Sequence, residues 1–118
     1  MAFPGTYNFS YYRGDTYQFV IRPKNANGST MSLDAYAGNE VFTIANRRGS
    51  AGTQVEATAV IDTANDIVTC TIEPAQGRLL VAGTTYVYDV QIDNGAGVIY
   101  TLLTGSITVT DDVSGAVV

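Results

Sequence analysis

The chain contains no histidine in its 118 residues. The side chain that most often serves near neutral pH as general base, nucleophile activator or metal ligand is therefore missing. Ser-His-Asp and Cys-His arrangements are excluded outright. Cysteine is almost as scarce. Cys70 is the single one, so no disulfide can form within the chain. Its setting, Ile67-Val68-Thr69-Cys70-Thr71-Ile72, puts it in alternation with Val68 and Ile72, as a small core residue. Charge is sparse too: 14% of residues are charged, where about a quarter is usual. A surface so poor in charge suits a protein largely covered by partners. Six Lys and Arg stand against eleven Asp and Glu, for a net charge of −5. Nucleic-acid binding needs clustered cations, and the one cationic doublet is Arg47-Arg48, so no nucleic-acid partner is expected. No run approaches the ~18 apolar residues of a membrane helix, so no membrane partner is expected either. Met1-Ala2-Phe3-Pro4-Gly5 has neither the basic region nor the apolar stretch of a signal peptide, and folding in a cytoplasm is the simplest expectation.

What is present is a series of short alternating segments. Tyr7, Phe9 and Tyr11 share one face of a first strand, and Tyr17, Phe19 and Ile21 one face of a second, with Arg13-Gly14-Asp15 between them. Residues 23–29 are a polar loop of turn formers. Residues 31–38 are ambiguous and read as a crossover anchored by Leu33 and Tyr36. Residues 40–46 form a strand with Phe42 and Ile44 facing one way, and residues 47–52 a flexible tip. In residues 54–61, Val55, Ala57, Ala59 and Ile61 face inward; the turn at 62–66 leads into a strand over 67–73. One short helical turn is expected within 75–82, after Pro74. The best-specified part is the hairpin at 83–113: Tyr86, Tyr88, Val90 and Ile92 alternate, Asn94 and Gly95 offer the positive φ of a tight turn, and the chain returns through Val98–Leu103. Gly105 is expected to mark a bulge or bend. Seven or eight strands with turn signals about every ten residues indicate an all-β fold, an immunoglobulin-like β-sandwich of antiparallel strands in a single domain, with a small closed barrel as the alternative. The expected organisation is an N-terminal arm and first strand at 1–12, the sandwich at 13–113 and a tail at 114–118.

The acidic residues suggest little chemistry. Asp62, Asn65 and Asp66 could cup a calcium ion, but they are also what a plain turn requires, and the length and terminal Glu of an EF-hand loop are absent. Glu56 and Glu73 would have to face each other to act as a glycosidase pair, whereas outward strand positions are normally polar. Asp111 and Asp112 are adjacent and point to opposite faces of a strand. The segment 49–52 lacks the Lys-Ser/Thr of a phosphate loop. Arg13-Gly14-Asp15 is the tripeptide that cell-adhesion receptors read, and equally a turn between strands. No enzyme and no cofactor is expected.

The aromatics carry more information. Seven of the twelve (Phe3, Tyr7, Phe9, Tyr11, Tyr12, Tyr17 and Phe19) fall in the first nineteen residues. That exceeds what one inward strand face can use and implies contact with another chain. The candidate interface residues are Phe3, Tyr7, Phe9, Tyr11, Tyr12 and Arg13, with Arg47 and Arg48 at the cationic tip. Exposed tyrosines also suit stacking on sugar rings.

The opening MAFPGTYNFSYYRGDTYQFVIRPKNANG, with Arg-Gly-Asp-Thr before an aromatic-apolar strand, resembles small virion proteins of tailed bacteriophages, notably those of cyanobacterial phages. So does the ending, with Tyr88-Asp89-Val90-Gln91-Ile92, then Thr101-Leu102-Leu103-Thr104-Gly105-Ser106-Ile107-Thr108-Val109, then Asp112-Val113-Ser114. The amino-terminal half is also similar to the domain by which some baseplate upper proteins attach to a tail. The resemblance implies a capsid decoration (cement) protein or a small head or tail accessory protein, assembled into virions in the host cytoplasm. Its implied partners are the major capsid protein or tail structural proteins, with homo-oligomers in the particle. A tail-fibre or baseplate adaptor, or a receptor- or carbohydrate-binding module, is the alternative.

Overall fold

The structure, a computed structural model, describes residues 5–25, 27–47 and 54–111. It is nearly all β. Among the described residues the strands are β1 (Gly5–Thr6), β2 (Phe9–Tyr12), β3 (Tyr17–Ile21), β4 (Glu40–Ala45), β5 (Gln54–Asp62), β6 (Ile67–Ile72), β7 (Thr85–Asp93) and β8 (Ile99–Thr110), with one short helix, α1 (Pro74–Gly77). None of the described helices is long and apolar enough to cross a membrane. The strands form one curled sheet in the order β1-β8-β7-β4-β5-β6-β3, with β2 also on β8.

Period-two patterning decides which side of each strand is buried. Tyr86, Tyr88, Val90 and Ile92 of β7 are buried, as are Phe42 and Ile44 of β4 and Val68, Cys70 and Ile72 of β6. Ala57, Ala59 and Ile61 of β5 and Tyr17, Phe19 and Ile21 of β3 pack against that core while remaining partly exposed. The ambiguous stretch after the first loop contains a 3-10 turn at Asp34–Tyr36, and Leu33 beside it is fully buried.

The curl originates in β5. Its first half pairs with β4, down to Phe42↔Ala57, and its second half pairs with β6, from Thr58↔Thr71 to Asp62↔Ile67. One strand thus serves two parts of the sheet and turns β6 and β3 back over β7 and β8. Small residues at Ala57 and Ala59 leave room for that change of direction.

Two expectations are corrected. The strands are not antiparallel throughout: β1 and β2 run parallel to β8, with Gly5 opposite Leu103 and Phe9 opposite Ile107. Hence residues 5–12 of the expected arm lie along the chain's own last strand, while residues 1–4 fall outside the described residues. The register of β1 and β2 is the same, so they are one strand interrupted at Tyr7-Asn8. There the Asn8 Oδ1 accepts the bond from the Ser106 N–H, standing in for a backbone acceptor.

Gly105 is likewise not the bulge. The register shift falls where Val90 pairs with Leu103 but Gln91 with Thr101, which leaves Leu102 as the extra residue. Gly105 instead permits the N-terminal segment to approach: a Cβ there would lie 2.0 Å from the Tyr7 carbonyl oxygen. The expected turn at the hairpin tip is present, but Gly95 and Gly97 rather than Asn94 take the positive φ, while the Asn94 Oδ1 accepts the Ala96 and Val98 N–H groups. The single short helical turn expected after Pro74 is present as α1, with Pro74 itself as its first residue.

Candidate functional site: the aromatic seam and its groove

Curling brings the two ends of the sheet, β1/β2 and β3, face to face. They are joined by rings. Phe9 stacks on Tyr17 with centroids 4.4 Å apart, and Tyr7 meets Phe19 edge-on at 5.6 Å. The Tyr7 and Tyr17 hydroxyls share a hydrogen bond. Tyr88 reaches the same place from β7, its hydroxyl donating to the Tyr7 carbonyl at 2.6 Å. Burial and then the bond with Tyr7 push the Tyr17 hydroxyl up to about 12, and burial raises Tyr88 well above the usual tyrosine range. Both phenols stay neutral under ordinary conditions.

Towards β1 the seam opens into a groove. Two cavities of about 330 and 220 Å³ share Ile21, Arg22 and Leu103. The larger is lined by Phe19, Val20, Ile21 and Arg22 in succession, with Tyr7 and Leu103 opposite. Consecutive strand residues point to alternate faces, so a cavity touching four in a row runs along the strand's edge. Among the described residues β3 is the last strand of the sheet, paired to β6 on its other side. The groove therefore runs beside a strand edge that, among the described residues, has no strand partner, next to apolar side chains. Arg22 and Lys24 mark its far end.

The expected interface residues separate into distinct roles. Tyr7 borders the groove and is 39% exposed; Tyr12, at 58%, points outward. Phe9 is half-buried within the ring stack, and Tyr11, at 1%, belongs to the core, its hydroxyl donating to the Asp15 carbonyl at 2.6 Å. Arg13 is occupied within the chain: its Nε donates to the Leu80 carbonyl and its terminal nitrogen to that of Arg78, both at 2.9 Å. This clamp holds the loop after α1, from which Leu79 and Val81 protrude. Arg47 is exposed at the end of β4. Phe3 and Arg48 lie outside the described residues. Residue patterns alone missed the groove residues Val20, Arg22, Lys24 and Leu103. The one available signal was the position of β3 beside a turn-rich loop.

The acidic residues have structural work. Glu73 and Gln76 form a capping box on α1, and Thr58 donates to Glu73 at 3.3 Å. Asp62 accepts from the Asn65 side-chain amide, which chiefly holds its carboxyl below the usual carboxylate range, and from the Ala64 and Asn65 N–H groups within its own turn. Asp66, at φ 52°, accepts the Leu33 N–H at 3.0 Å. Glu56 sits exposed opposite Thr43. Among the described residues, no three His, Cys, Asp or Glu side chains stand close enough to hold a metal ion. Burial pushes the Cys70 thiol up to about 12, which suppresses its thiolate.

No family model and no curated protein matches the sequence. Among solved structures, a family 123 glycoside hydrolase from Clostridium perfringens, studied for glycolipid glycan hydrolysis, is similar at 16% identity with a TM-score of 0.40. The match covers 92% of this chain and 23% of that one. A likeness of this size assigns neither a fold family nor an activity.

Proposed function

We propose that the chain is a structural protein of a tailed-bacteriophage particle, a capsid decoration (cement) protein or small head or tail accessory protein. It works by binding, without catalysis or cofactor, and it is assembled into virions in the host cytoplasm. The observation that carries this reading is the open edge of β3 beside an apolar groove, next to a seam built from the amino-terminal aromatics. An extended segment of a neighbouring subunit can add to such an edge, gaining main-chain bonds and seating alternate side chains in the groove. The resemblance of the sequence to small virion proteins supplies the setting: the major capsid protein or tail proteins as partners, and repeated copies on a lattice. In the same reading the curled sheet is an immunoglobulin-like sandwich, with β1/β2, β8, β7 and β4 in one layer, β6 and β3 in the other, and β5 shared.

The test is composition and binding. Purified particles of the parent phage should contain the protein in many copies. Particles lacking it should take up the purified chain, and Val20→Asp in the groove should reduce that uptake at least tenfold. Absence from particles, or uptake indifferent to Val20→Asp, would refute the reading. A tail-fibre or baseplate adaptor, or a carbohydrate-binding module, is the second reading, favoured by the outward ring of Tyr12. It requires binding on a glycan array that Tyr12→Ala abolishes.

A further inference from the structure

We propose that the groove between β1 and β3 receives the segment 111–118, Asp-Asp-Val-Ser-Gly-Ala-Val-Val, of a second copy of this chain, joining copies head to tail. This rests on the reading of the chain as an assembling structural protein and names one of its partners.

Three observations carry it. The groove is apolar along Phe19, Val20, Ile21 and Leu103 and cationic at the Arg22–Lys24 end. In a chain with six Lys and Arg in all, two of them beside one apolar groove select for an acidic segment. The tail has the matching order, two aspartates followed by Val113, Ala116, Val117 and Val118. Laid antiparallel to β3, it sets Asp111 and Asp112 against Arg22 and Lys24 and carries its valines towards Val20 and Tyr7.

The reach of the chain decides between a copy's own groove and its neighbour's. Leu103 lines the groove, and Asp111 follows eight residues later beyond the end of β8, about 26 Å away along the strand. Asp112 follows directly and adds at most about 4 Å to that reach. Asp111 and Asp112 therefore cannot meet Arg22 and Lys24 of their own copy, which lie at the Leu103 end of the groove and beyond it. The contact is therefore between copies and heterologous: each molecule offers one groove and one tail, so assembly grows into rings or open chains.

The experiment uses sedimentation velocity on the full chain and on a chain ending at Asp111, with a fluorescent peptide of residues 111–118 as the direct probe. The full chain should grow beyond its 12.5 kDa monomer as concentration rises, and the shortened chain should not. The peptide should bind the shortened chain, lose about tenfold in affinity to the Arg22→Glu, Lys24→Glu variant, and recover on that variant when both aspartates of the peptide are replaced by lysine. Both cations are exposed, and an unchanged circular dichroism spectrum verifies that the variant is folded. Growth that persists without residues 112–118, no peptide binding, or binding indifferent to charge reversal would each overturn the proposal. A chain that is monomeric yet still taken up by particles would overturn the tail contact while leaving the particle-binding reading intact.

Discussion

Gly105 and Tyr7 touch backbone to backbone: a Cβ on the glycine would stand 2.0 Å from the tyrosine's carbonyl oxygen, which also accepts the Tyr88 hydroxyl. This contact binds the amino-terminal segment to the last strand and places Tyr7 over the groove. Gly105→Ala should push the segment away and destabilise the fold by about 1–3 kcal/mol, the usual range for overpacking. Thermal unfolding measures it, and an unchanged Tm would mean that the segment is not held there.

Gly77 and Tyr11 form a second close pair. A Cβ on Gly77 would meet the Tyr11 hydroxyl at 1.7 Å and its ring carbon at 2.6 Å. Gly77→Ala should therefore be costly beside tyrosine and cheaper when Tyr11→Leu has removed the ring. The two substitutions should couple by about 0.5–3 kcal/mol in a double-mutant cycle. Additive effects would contradict the contact.

Alkaline pH should weaken the fold. The Cys70 thiol and the Tyr17 hydroxyl are both held near 12, and burial also raises Tyr11, Tyr36 and Tyr88. In the unfolded chain the thiol ionises near its ordinary 9 and the phenols near 10. Below those values both states are protonated, and the stability due to these groups is fully present. Between about 9 and 12 the unfolded state alone gives up protons, so stability falls as pH rises. Unfolding midpoints measured from pH 7 to 11 should stay level and then decline above about 9. A flat profile would contradict the burial of these groups.

Arg13 fastens the loop after α1 by two bonds to its carbonyls. In the same loop the Val81 N–H donates to the Tyr86 hydroxyl at 2.8 Å. Arg13→Gln should speed hydrogen exchange at Val81 while leaving the amides of β6 and β7 unchanged. Equal exchange at Val81 in both proteins would show that the clamp does not hold the loop.

Much of the fold is legible in the residues, because burial on one side of a strand writes itself as period two. Tyr86-x-Tyr88-x-Val90-x-Ile92 and Val68-x-Cys70-x-Ile72 announce their inward faces without knowledge of any neighbour. Pairing is different. β2 and its partner on β8 lie 98 positions apart, as Phe9 does from Ile107, and no local pattern records which distant strand lies alongside or in which direction. The role of Gly105 was hidden for the same reason: a glycine in a strand can signal a bulge or a close approach, and only the position of Tyr7 distinguishes them. The aromatic crowding before residue 20 indicated where the unusual surface lies. It did not separate Tyr11, which the core absorbs, from Tyr7, which borders the groove. The groove itself exists only once the sheet has curled, so Val20, Arg22 and Leu103 carried no signal of their own.

The most direct measurement is a reconstruction of the intact parent phage particle at a resolution that traces the backbone. The account predicts copies of this chain repeated on the head or tail lattice, each with an extended segment of a neighbouring subunit lying in the groove beside β3. Particles without the chain, or copies whose grooves face open solvent, would contradict it.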